Sequence, residues 1–295
     1  MTDHPEPVSF ADAVARLAPA VVGLGTRRHR GAGLHWRAGV VVGSATVLWR
    51  AQTVSLVLPD GNQVDGEVRG VDGATDLAAV VFTGTELPLP DRVATDAAPP
   101  RVGDPVCAVG REASGGVQAS FGHLGLVGGE WRTWRGGRVE RLIRLDGGLY
   151  PGLWGAPVAD PAGRVLGLAS GAFSRHHGVV IPAATIDRVL DQLLAHGRVQ
   201  QGYLGLAAQP VRATLDGEAV EGLLVSSVAD DGPAARGGLL VGDVVVRLDG
   251  TPVGSLEALR DHLRVGATVE LQVARGGRAQ HLSLTVAPRP QGRCG

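Results

Sequence analysis

The chain has 295 residues, 44% hydrophobic and 19% charged, enough apolar side chain for about two globular domains and too much for a disordered chain. Its 28 basic residues, all Arg, face 29 acidic ones, so no global field exists to hold nucleic acid or an anionic bilayer, and neither partner is expected. With 45 Gly and 18 Pro beside 4% aromatics, many short strands with tight turns are favoured over long helices.

Residues 1–8 read as a tail. Met1 to Pro7 offers neither a basic nor an apolar run, and no apolar stretch approaches the roughly 20 residues that span a bilayer, so a cytoplasmic chain without a membrane span is expected. Ser9-Phe10-Ala11-Asp12 opens a helix with Phe10, Val14 and Leu17 at helical spacing, stopped by Pro19. From Val21 to about Val179 the pattern is strand-like, with runs at Val54–Leu58, Ala78–Phe82 and Val102–Val109. A second helix carries the stripe Ile186, Val189, Leu190, Leu193 and Leu194, with Thr185 as its expected cap and Gly197 as its end. A first domain over 9–199 follows from this pattern. The second unit, 200–288, has strands near Gly222–Val228, Asp243–Leu248, Val269–Val273 and His281–Val286, and a helix from Ser255 to about Arg264 with Leu256, Leu259 and Leu263 on one side. Residues 289–295 form a tail. Cys107 and Cys294 fit no metal spacing or disulfide framework and read as free thiols.

Several segments in order resemble the HtrA (DegP-like) family. They are Ala18-Pro19-Ala20-Val21-Val22, Gly31-Ala32-Gly33, Thr75-Asp76-Leu77-Ala78, Arg101-Val102-Gly103-Asp104 and Gly202-Tyr203-Leu204-Gly205-Leu206. The most specific are Pro233-Ala234-Ala235-Arg236-Gly237-Gly238-Leu239 and Val241-Gly242-Asp243-Val244-Val245, which resemble a PDZ signature. The resemblance covers nearly the whole chain and implies a mainly β protein, a trypsin-like double β-barrel followed by a small α+β PDZ domain.

Such a protease needs a hydroxyl nucleophile, an imidazole base, a carboxylate to orient the base, and backbone donors for the oxyanion. On the resemblance, the nucleophile position in Tyr150-Pro151-Gly152-Leu153-Trp154-Gly155-Ala156-Pro157 falls on Trp154, with Gly152 a remnant of the oxyanion loop. The base position falls on Thr46 and only Asp76 of the triad persists, so no catalytic residue is expected. Asp76 then reads as structural, bonding nearby backbone N–H groups. Trp154 has two readings, a plug that closes the former cleft or the floor of an adapted pocket, and its bulk favours the plug. Ser114-Gly115-Gly116 reads as a turn and His35 as a strand residue. His176-His177 is a poor metal pair, because strand neighbours point to opposite faces. No metal or cofactor is expected.

Arg132, Arg135, Arg138, Arg141 and Arg144 recur every third residue around Trp131 and Trp134. A hairpin turning at Gly136-Gly137 would set Arg132 and Arg141 on one face as an anion patch, against the plainer reading of a solvated hairpin. In the PDZ-like unit the resemblance makes Tyr203, Leu204, Gly205 and Leu206 the carboxylate loop, and Leu256, Leu259 and Leu263 the groove wall, for a peptide bound by strand addition. The expected function is a catalytically inactive HtrA-like homologue that binds protein C-termini or exposed apolar segments as a scaffold, adaptor or chaperone-like protein. It is expected to form a homo-oligomer or to assemble with an active HtrA paralogue. Two alternatives stand beside it, an endopeptidase with a non-standard nucleophile and an anion-binding scaffold built on the Arg/Trp hairpin.

Overall fold

A computed structural model describes residues 9–26, 29–94, 97–150 and 152–290, and two compact units divide the chain, 1–199 and 200–295. Helix α1 (Phe10–Leu17) starts at Ser9, whose hydroxyl accepts the Ala11 N–H, and it buries Ala13 and Leu17. Strands β1 (Val21–Gly25), β2 (Arg30–Arg37), β3 (Val40–Ser44), β4 (Thr53–Val57), β5 (Gln63–Asp72) and β6 (Leu77–Val81) close into a barrel of order β1-β2-β3-β6-β5-β4. The short helix α2 (Ala45–Leu48) leaves the end of β3. Leu24, Val41, Leu56, Val80 and Phe82 fill the barrel, supplied by the alternation of inward residues along each strand.

A second barrel joins β7 (Pro105–Arg111) and β8 (Val117–Val127) to strands beyond a small hairpin, β9 (Trp131–Arg132) with β10 (Arg138–Val139). Those strands are β11 (Ile143–Leu145), β12 (Pro157–Ala159), β13 (Val165–Ser170) and β14 (Val179–Pro182), in barrel order β11-β14-β13-β12-β7-β8. Helix α3 (Ala183–His196) ends at Gly197 in the left-handed conformation and buries Ile186, Val189, Leu190 and Leu193 in the core it shares with this barrel. Burial of each such side chain stabilises the fold by about 1.5–3 kcal/mol. Its start differs from expectation. The cap position is Pro182, and Thr185, one turn inside, gives its hydroxyl to the Glu140 carboxylate instead.

The second unit carries β15 (Gly202–Tyr203), β16 (Leu206–Leu215), β17 (Glu218–Val228), helix α4 (Pro233–Arg236), β18 (Val244–Leu248), β19 (Thr251–Pro252), helix α5 (Leu256–Asp261), β20 (Thr268–Arg275), β21 (Arg278–Thr285) and β22 (Ala287–Pro288). Its sheet runs β16-β17-β18-β20-β21, with β19 beside β18, so β16 is an edge strand. The Ser255 hydroxyl caps α5 by accepting the Ala258 N–H. The helix is shorter than expected, because the His262 and Leu263 N–H groups turn back to the Leu259 and Arg260 carbonyls in i to i+3 bonds. Leu263 therefore lies past its end.

Candidate functional site

The Asp72–Asp76 turn builds the corner of the first barrel. The Asp72 carboxylate accepts the Ala74 N–H at 3.2 Å, and the Thr75 N–H and hydroxyl at 3.2 and 2.6 Å, an arrangement that delivers Asp76 with φ 58°. The Asp76 side chain points inward and is 2% exposed. It accepts the Ser44 hydroxyl at 2.9 and 3.0 Å, the Thr46 N–H and hydroxyl at 2.8 Å each, and the Ser170 hydroxyl at 2.6 Å. Every donor is neutral, and among the described residues no imidazole bonds to this carboxylate. Asp76 was expected to bond nearby backbone N–H groups. It bonds one, and its other donors are hydroxyls from β3, α2 and β13. Ser44 and Ser170 carried no functional reading in the sequence. The one local signal was Ser44 preceding a short helix, which it caps.

Trp154 stands close to this corner. A side chain at Gly155 would place its Cβ 2.4 Å from the Ala32 carbonyl and 2.7 Å from the Ser44 nitrogen, so only glycine lets the loop pass so near β2 and β3. The Ala32 N–H donates to the Trp154 carbonyl at 2.9 Å, and buried Leu153 anchors the same turn. The structure thus brings together the three positions Thr46, Asp76 and Trp154. The indole lies against Gly171, where a Cβ would come 2.6 Å from Nε1. An open cavity of about 620 Å³ remains, lined by Trp134, Leu149, Trp154, Phe173, His176 and His177. Open space beside the indole favours the pocket-floor reading of Trp154 over the plug.

The chemistry available here is limited. A hydroxyl becomes a nucleophile when a neighbouring base takes its proton, and here Ser44, Thr46 and Ser170 all spend their protons on one carboxylate. Gly152, the oxyanion-loop position, has φ 90°. His35 sits on β2 with Nδ1 3.0 Å from the Pro88 carbonyl, and Ser114 lies in the exposed β7–β8 turn. Among the described residues no cluster of three or more His, Cys, Asp or Glu could hold a metal. Burial pushes the Cys107 thiol up to about 11, which leaves it protonated near neutral pH, and Cys294 lies outside the described residues.

The Arg/Trp hairpin differs from expectation in register and in use. Arg132 opposes Arg138, not Arg141, because the turn is centred on Arg135, over residues 133–137, and not on Gly136-Gly137. Arg138 pairs with Glu130 at 2.8 Å, and Arg132 donates to the Gly136 carbonyl. Arg135 stacks 4.5 Å over exposed Trp134 and donates to the Gly73 carbonyl, while the Thr133 hydroxyl donates to Ala74 at 2.7 Å. The hairpin therefore buttresses the turn that aims Asp76. Arg141 is half-buried.

In the second unit Gly205 has φ 79°, and a Cβ there would meet the Gly232 Cα at 3.0 Å. This conformation turns the chain sharply between β15 and β16. The carbonyls of Leu204 and Gly205 accept the Ala234 and Ala229 N–H groups, whereas the N–H groups of these two buried residues meet no backbone acceptor among the described residues. Buried donors without partners mark a place where an acceptor docks. Beside them, Leu206, Leu256 and Leu263 are half-buried against the core that holds the buried Leu259, with Leu263 packed against Gly202 of β15. Tyr203 lies in β15, paired with Ala287. Asp243 braces the far side, accepting the Arg275 guanidinium at 2.7 and 2.8 Å and the Leu240 N–H at 2.8 Å.

Residues 31–168 match the trypsin-like peptidase domain family and residues 202–286 the PDZ domain family. The probable periplasmic serine endoprotease DegP-like of Brucella suis biovar 1 (strain 1330) is 32% identical over 265 residues, covering 85% of this chain and 51% of that protein. The protein of the same name from Pseudomonas savastanoi pv. phaseolicola is 31% identical over 267 residues, 85% and 54% respectively. The chain thus spans about half the length of the curated relatives it matches. Among solved structures, the HtrA-type protease AlgW with decapeptide superposes with a TM-score of 0.77 at 25% identity, covering 96% of this chain and 100% of that one. AlgW with tripeptide gives 0.73 at 28% identity, covering 97% and 99%. The relatives' names overturn the cytoplasmic expectation and point to the periplasm. That expectation rested on the lack of a leader-like run in the first residues, and such a lack does not set a compartment. No helix among the described residues is long and apolar enough to cross a membrane.

Proposed function

Since the chain carries an HtrA/DegP-like trypsin-like peptidase domain followed by a PDZ domain, we propose that it is a catalytically inactive member of that group, periplasmic like its named relatives, which works by binding peptide C-termini in its PDZ groove. The observation that carries this reading is the Asp76 carboxylate, saturated by three hydroxyls and one N–H where a protease holds an imidazole. The nucleophile's loop presents Trp154, whose indole cannot attack a carbonyl. Groups of a triad act as a unit, so loss of base and nucleophile together removes the covalent route. The unpaired N–H groups of Leu204 and Gly205, beside apolar Leu206, Leu256, Leu259 and Leu263, suit a terminal carboxylate with an apolar last side chain.

Fluorophosphonate labelling and casein cleavage by the purified chain test the first half. Neither labelling nor turnover is expected, and stoichiometric labelling of one Ser with turnover would overturn the assignment. The open cleft favours one second reading, a barrel that still holds an apolar peptide segment without cutting it. Displacement of a bound apolar fluorophore by unfolded casein, sensitive to Phe173→Ser, would support it.

A further inference from the structure

Strand addition needs an edge whose main-chain groups are free, and the edge of β16 is free only in part. The Ser226 hydroxyl on β17 donates to the Ala207 carbonyl at 3.2 Å, so Ala207 turns its polar groups toward β17. Alternation then sends Gln209 and Val211 the same way, and sends Leu206, Ala208 and Pro210 to the open edge. The one irregularity in this pairing skips Ser226, not a residue of β16, so the alternation along β16 is unbroken. Pro210 opposes Leu223 in the ladder without needing to donate, which agrees with a nitrogen facing outward.

A ligand antiparallel to β16, with its carboxylate on the Leu204 and Gly205 N–H groups, would pair its last residue beside Leu206. Its third-from-last residue would exchange both bonds with Ala208, and its fifth-from-last would meet Pro210. Proline has no N–H to give, so that pair keeps at most one of its two bonds. We infer that this groove forms full main-chain pairs with only the last three residues of a C-terminus, and that Pro210 sets that limit. Its position also guards the edge. Proline on an exposed strand blocks indefinite strand addition, and placing it four residues past Leu206 leaves one short docking stretch open. The inference rests on the reading of the second unit as a binder of C-termini.

The test uses the full chain and fluorescently tagged octapeptides with a free carboxylate, an apolar last residue (Leu, Val or Phe) and Ala/Ser upstream, together with the tripeptides cut from them. The wild type is expected to bind each octapeptide and its tripeptide within about threefold, since a lost main-chain bond is worth roughly a few-fold. Pro210→Ala restores the donor and should tighten octapeptides about three- to tenfold while leaving tripeptides unchanged. Ala208→Pro removes an edge-facing N–H without touching the bonds to β17, and should weaken both lengths at least tenfold. A wild-type octapeptide tenfold tighter than its tripeptide, with that gap unmoved in Pro210→Ala, would overturn the inference alone. Equal binding of C-terminally amidated peptides, or no binding of any free acid, would instead overturn the C-terminus reading beneath it.

Discussion

The Asp76 corner and the Gly205 loop are built from similar parts, a residue at positive φ delivering polar groups into a buried space, yet they stand in opposite states. At Asp76 every partner of the carboxylate comes from the chain itself, through Ser44, Thr46 and Ser170. At Gly205 the neighbouring carbonyls are satisfied and two buried N–H groups are left waiting. On the proposed reading, the Gly205 loop holds back bonding capacity for a ligand, whereas the Asp76 corner spends its capacity on the fold. An open cavity remains beside Trp154, so on the proposed reading inactivity follows from the chemistry of Thr46, Asp76 and Trp154 and not from blocked access.

The largest effect that could break this comparison is a return of reactivity. Thr46→His puts an imidazole on the carboxylate that now takes the Thr46 hydroxyl, and Trp154→Ser puts a hydroxyl on the loop beside it. The double variant is expected to react with a fluorophosphonate at position 154, while either single variant stays unlabelled because each lacks one half of the unit. Equal labelling of Trp154→Ser alone would mean a base already exists. Next in size is Asp76→Ala. It leaves the buried Ser44 and Ser170 hydroxyls, the half-buried Thr46 hydroxyl and one N–H without their acceptor, and should cost the barrels about 3 kcal/mol or more in urea unfolding, since bonds to a charged group are each worth roughly 1.5–3 kcal/mol. A loss below about 1 kcal/mol would show that the hydroxyls find other partners. Smaller again, Gly205→Ala sets a Cβ against Gly232 at a positive φ. It should weaken C-terminal peptides at least tenfold, about 1.4 kcal/mol, in the same titrations.

How much of this was legible in the sequence depends on the reach of each interaction. Asp76 stood out within Thr75-Asp76-Leu77-Ala78, and Gly205 within Tyr203-Leu204-Gly205-Leu206, because those signals are local. The hydroxyl cage was not legible, since Ser170 lies 94 residues beyond Asp76 and nothing near it distinguishes it from any other strand serine. Strand β16 went unread because small residues and Pro210 blur its alternation. A usable signal was present, however: Asp216-Gly217, both at positive φ, makes the two-residue turn into β17 that an Asp-Gly pair between strands announces. Thr185 was read as a cap because caps are local, and its true partner, Glu140, is 45 residues away.

The smallest effect separates two ways of burying an acid. Asp76 is held by neutral donors, whereas Asp243 is held by a cation. Burial alone would raise the Asp243 carboxyl, and the Arg275 guanidinium together with the Leu240 N–H outweighs it and holds the group below the usual carboxylate range. A depressed value in the folded state means that the ionised form stabilises the second unit. That contribution is complete above the ordinary carboxylate range and fades as pH falls through the folded value. Asp243→Asn should therefore lower the stability of the second unit by roughly 1 kcal/mol at pH 7, with the gap to wild type closing in strong acid. Thermal melts of both chains from pH 7 down to pH 2 would read this directly. A gap that stays constant with pH would mean that Asp243 acts through its shape and its bond to Leu240 and not through its charge.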